Sequence, residues 1–140
     1  MFRKLTTIVD CKLAREIEKD PESEVCSSEG FKVCMELALA VVYRGLNLTL
    51  GRRVLLSKES ESGNDKVLEK FFGSEGYCLR HEIQAAHRIE VVIHLGSEAT
   101  SFRWLLLLFE KSEKEPFYVL SMDVGLDGKI SRPHLTNMKQ

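Results

Sequence analysis

His81 and His87 close the segment HEIQAAH and are the first residues in this chain to suggest a chemistry. The segment opens like the zinc-binding helix pattern H-E-x-x-H, in which histidines four apart share one helix face and one metal. Here the second histidine arrives two residues late. On a helix, a six-residue step turns the two rings about 120° apart. On a strand they share a face but stand roughly 20 Å apart. Neither geometry lets one zinc hold both rings. Cys78-x-x-His81 also has a ligand-like spacing, with Cys26 and Cys34 as further thiols, but no second close pair accompanies it. No metal and no cofactor is therefore expected.

What survives is acid/base chemistry. An imidazole titrates near neutral pH and needs a polar partner when buried. A carboxylate within hydrogen-bond reach would make it a general acid or base. Asp123 shares strand parity with Phe117, Val119 and Ser121 and supplies the candidate, which makes His81, His87 and Asp123 the catalytic set of an enzyme reading. That reading requires a cavity of roughly 300 Å³ or more beside the histidines. The plainer alternative is two histidines bonded to backbone carbonyls in or beside a core. No phosphate-binding glycine pattern is present, since GSEG at 73–76 lacks both the spacing and the preceding strand.

Positioning such groups is the task of the surrounding elements. The chain has 140 residues, the length of one domain, 1–140. Apolar residues are 44% and charged residues 29%, the balance of a soluble globular chain. A net charge of −1 argues against nucleic-acid binding by phosphate neutralisation. The longest apolar run, VCMELALAVVY, is shorter than the about 17 to 25 residues a membrane helix needs. The N-terminus does not read as a secretory signal, so a cytoplasmic setting with reduced thiols is expected.

Phe2, Leu5, Val9, Leu13 and Ile17 recur at helical steps and predict a first helix stopped at Asp20-Pro21. Ser28 can cap a second, strongly apolar helix over 29–44. LNLTLG and RVLLS predict a hairpin about Gly51, and 65–72 a third helix. From Tyr77 to Leu95 one parity is apolar, which predicts a long half-buried strand that carries both histidines inward. SFRWLLLLFE at 101–110 predicts a central strand covered on two sides. PFYVLSMDV and an Asp127-Gly128 turn follow, and then a fraying tail.

The expected fold is thus α+β, with two to three N-terminal helices packed on a curved antiparallel sheet of about four to six strands. In element order this resembles the nuclear-transport-factor-2-like cone, a resemblance that covers most of the chain and implies a strongly bent sheet. Cystatin-like and secretion-chaperone folds arrange similar parts differently. No family motif is matched, so the resemblance carries over no functional residue.

The apolar surplus of FRWLLLLF and CMELALAVVY exceeds what one sheet-and-helix layer hides, and such a surplus marks an interface. Phe102, Trp104 and Leu106 share a parity and are the expected anchors. The function expected from the sequence is a non-enzymatic protein-interaction module, homodimeric through its sheet, with a protein or a second copy as partner. The alternative is a small pocket enzyme, a dehydratase or isomerase acting on a small molecule.

Overall fold

The computed structural model describes residues 4–41, 45–50, 53–59, 75–96, 98 and 100–137. Seven strands and three helices lie among them: β1 (Lys4–Val9), α1 (Cys11–Lys19), α2 (Glu29–Val41), β2 (Gly45–Leu50), β3 (Arg53–Glu59), α3 (Glu75–Ala85), β4 (Arg88–Leu95), β5 (Ser101–Phe109), β6 (Tyr118–Gly125) and β7 (Ile130–Asn137). The strands form one sheet in the order β3-β2-β1-β4-β5-β6-β7. β1 runs parallel to both of its neighbours, β2 and β4, and every other pair is antiparallel. Parallel neighbours need a crossover connection, which α1 and α2 supply between β1 and β2.

The α+β class is as expected, but the cone is not. The sheet is mixed rather than antiparallel, and it is neither curled nor closed, unlike a nuclear-transport-factor-2-like sheet. The reason lies at the N-terminus. Thr6, Thr7, Ile8 and Val9 are β-branched in succession and favour an extended chain. They place a strand in the middle of the sheet where a helix was expected. Helix α1 starts only after Asp10, whose carboxylate accepts the Leu13 N–H at 2.8 Å as an N-cap. It stops at Asp20 before Pro21, as predicted.

The long strand over 77–95 is also corrected. Its first half is α3, and only Arg88–Leu95 is strand. Among the described side chains of α3, Leu79 and Ile83 are buried, followed by Ala86. A four-residue step is even, and it is also close to one helical turn, so the two periods coincide over this stretch. Leu, Arg, Glu, Gln and Ala are good helix formers and settle the choice. The tail forms β7 instead of fraying, paired to β6 through the Asp127-Gly128 turn, where Gly128 has a left-handed φ of 86°. The hairpin about Gly51 appears as antiparallel β2 and β3. The expected helix at 65–72 lies outside the described residues.

All the described helices bury their side chains in one cluster. Leu13 and Ala14 of α1, Cys34, Leu37 and Ala38 of α2, and Leu79 and Ile83 of α3 meet Ile89, Val91 and Ile93 of β4, Phe102, Trp104 and Leu106 of β5, and Leu120 and Met122 of β6. Within each strand the members share one parity and they pair in register across the strands, so the helices cover a single face. Helix α2 is capped by Ser28 Oγ, which accepts the Phe31 N–H at 3.1 Å. It approaches β6 so closely that a Cβ on Gly30 would run into the Gly125 carbonyl oxygen. The Gly30 N–H donates to the Leu126 carbonyl at 2.9 Å.

Candidate functional site

The other face of the sheet carries no helix among the described residues. Strand β4 alternates half-buried and buried along its whole length, and β6 does the same in opposite phase. The half-buried side chains belong to the uncovered face, and the strand register arranges them in rows. Ile8, Val92, Leu105 and Ser121 form one row. Glu90, Leu107, Val119 and Thr136 form the next. Four apolar side chains, Val92, Leu105, Leu107 and Val119, therefore sit together at the centre of β4, β5 and β6.

At one end this apolar patch meets a charged row. His94 faces Arg103 across β4 and β5, and Arg103 faces Asp123 across β5 and β6. His94 Nδ1 lies 3.2 Å from Asp10 Oδ2, an oxygen that also accepts the Leu95 N–H at 3.2 Å. Arg103 donates from Nε to Asp123 Oδ1 at 3.3 Å, and its Nη2 is 3.2 Å from the same oxygen. Arg132 Nη1 stands 4.0 Å from Asp123 Oδ2. A groove of about 330 Å³ adjoins this row, lined in part by Ser101, Asp123, Ser131 and Arg132.

The opposite end of the sheet holds His87. A cavity of about 440 Å³ opens there, lined by His87, Arg88, Glu110, Ser112, Glu113 and Lys114. The Arg88 guanidinium lies 3.8 Å over the Phe109 ring. Its Nε is buried without a hydrogen-bond acceptor among the described residues, Glu90 Oε1 being 3.8 Å away.

The candidates from the sequence are thus dispersed. His81 is exposed on α3, His87 lines the cavity at the start of β4, and Asp123 lies at the far end of β6. They do not form one site. The expectation that both histidines face inward from one strand fails because His81 is on a helix. The anchors are displaced as well. Phe102, Trp104 and Leu106 are each 0% exposed and belong to the helix-covered core. Trp104 Nε1 donates to the Cys34 carbonyl oxygen at 3.2 Å. Their odd-numbered neighbours Leu105 and Leu107 take the uncovered face, because the helices lie on the even side of β5.

No family model, curated protein or solved structure matches this chain. Among the described residues no group of three His, Cys, Asp or Glu side chains gathers as a metal site. No described helix is long and apolar enough to cross a membrane. The Cys34 thiol is buried in the core, and desolvation pushes it up to about 12, so it is an unreactive packing group. Sequence reasoning missed the Asp10–His94 pair, whose members are 84 residues apart. The only local signal was an aspartate at a strand-to-helix junction.

Proposed function

We propose that this chain is a non-enzymatic interaction module that forms a homodimer through the uncovered face of its sheet. The observation that supports this reading is the contiguous half-buried patch of Val92, Leu105, Leu107 and Val119 on a sheet whose other face alone is covered by the described helices. Charged residues border the patch on both ends, with Asp10, His94, Arg103 and Asp123 on one side and Arg88 and Glu90 on the other. An apolar centre within a polar rim is the ordinary anatomy of a protein interface. A second copy offers the same patch, and a two-fold contact is self-complementary in this way. Light scattering on the size-exclusion eluate tests the proposal. A dimer mass at tens of micromolar is expected, and a clean monomer at that concentration overturns it.

A second reading, acid/base catalysis, rests on the cavity beside His87, which brings an imidazole near Glu110 and Glu113. His81 and Asp123 take no part in it. Under this reading His87→Gln abolishes turnover of a small molecule; under the first it leaves partner binding unchanged.

A further inference from the structure

We infer that His94 and Arg103 together form a two-point binding site for an oxyanion, a phosphate or a carboxylate group, at the carboxyl end of β4. This proposal does not depend on the dimer. It rests on how the charges in the row are layered.

The two side chains face each other in register on adjacent antiparallel strands. Side chains in such positions have Cβ atoms about 4.5–5.5 Å apart, and like charges there repel unless a counter-charge is near. Each has a carboxylate behind it. Asp10 is held by three donors, the Leu13 N–H at 2.8 Å, the Leu95 N–H at 3.2 Å and His94 Nδ1 at 3.2 Å. It therefore fixes the imidazole with Nδ1 turned inward, which leaves Nε2 on the opposite edge of the ring. Asp123 engages Nε and Nη2 of Arg103, which leaves Nη1.

The exposures decide what the solvent meets. His94 and Arg103 side chains are 43% and 56% exposed, whereas those of Asp10 and Asp123 are 23% and 20%. The carboxylates are withdrawn and the basic edges are forward, so a nearly neutral cluster presents a basic surface. Nε2 of His94 and Nη1 of Arg103 are the donor positions that the bonds to Asp10 and Asp123 do not engage. An oxyanion offers two acceptor oxygens to such a pair, and charge-assisted bonds of this kind are among the strongest available to side chains.

With Nδ1 donating to Asp10, His94 donates from Nε2 only as imidazolium, so the site takes an anion with the ring protonated. The charged groups around it are Asp10 from the β1–α1 junction, Lys12 of α1, whose Nζ bonds the Gly96 carbonyl, and Arg103 of β5 backed by Asp123 and Arg132.

The test is a nitrogen-15 NMR titration of the imidazoles of the full chain near pH 6. Sodium phosphate is the first probe and sodium acetate the second, with ionic strength held by chloride. A saturable shift of His94 Nε2, absent from His81, His87 and His134, is expected with at least one probe. The responding probe identifies phosphate or carboxylate as the preferred group. Arg103→Gln, checked for an unchanged circular dichroism spectrum, should weaken the binding about tenfold or more. Uniform movement of all four histidines, or saturation unaltered in Arg103→Gln, overturns the proposal.

Discussion

Trp104 and Leu105 are consecutive in the chain and lie on opposite sides of the sheet. Trp104 has no exposed surface and donates its indole N–H to the Cys34 carbonyl of α2, while Leu105 is half-buried on the face without a described helix. One residue of register separates the core from the candidate interface.

Substitution at these positions should therefore separate stability from association. Leu106→Ala is expected to cost about 2–5 kcal/mol, the range for a fully buried leucine. Leu105→Ser should cost less than half of that. Leu105→Asp should turn a dimer into a monomer that still unfolds cooperatively. Urea unfolding and light scattering on the three variants check this. Equal stability losses at 105 and 106 would show that the uncovered face is part of the core.

The indole contact gives a second expectation. Trp104→Phe keeps most of the buried ring and removes one hydrogen bond between β5 and α2, worth about 1 kcal/mol. Trp104→Ala opens a cavity and should cost about 3–5 kcal/mol. The denaturant midpoints of the two variants should differ accordingly.

Asp10 has two roles that substitution can separate. Asn is as good an N-cap as Asp, so Asp10→Asn should retain α1 while removing the charge that faces His94. Asp10→Ala loses both and should cost about 0.5–2 kcal/mol more than Asp10→Asn. Both variants remove the carboxylate that His94 Nδ1 faces, so both should move the Nδ1 nitrogen-15 resonance. An unmoved Nδ1 resonance in both would remove Asp10 as the group that orients the ring.

Cys34 predicts an alkaline dependence. Below pH 9.0 its thiol is protonated in both the folded and the unfolded chain and contributes nothing to the pH dependence of stability. Between 9.0 and about 12 the unfolded chain releases the proton and the folded chain keeps it. Stability then falls as pH rises across that window. Cys34→Ala should flatten this part of the stability profile. Peptide mapping after brief alkylation should find the exposed Cys11 labelled first, and Cys34 labelled only on unfolding.

Much of the local structure was legible in the chain. The Asp20-Pro21 stop, the Ser28 cap, the hairpin about Gly51 and the Asp127-Gly128 turn each depend on a few adjacent residues whose backbone preferences are intrinsic. The apolar run of β5 predicted an interior strand covered on two sides; the strand is interior, but the described helices cover only its even side. The choice between helix and strand over 77–85 was not legible, because Leu79 and Ile83 satisfy both periods.

The remaining decisions were made by contacts distant in sequence. Alternation along β5 says that one parity is buried, but not which. Only the docking of α2, through Phe31 on Phe102 and the Cys34 carbonyl on Trp104, assigns the even side to the core. β1 lies between β2 and β4 because the crossover returns the chain beside it in parallel, and that placement brings Asp10 to His94. Sequence alone determined the caps, stops and turns and the two-faced character of β4 and β6, since these follow from backbone preference and side-chain period. The tertiary structure alone decided which face is covered and which charges meet, because strand register and layer order are properties of segments that have found one another.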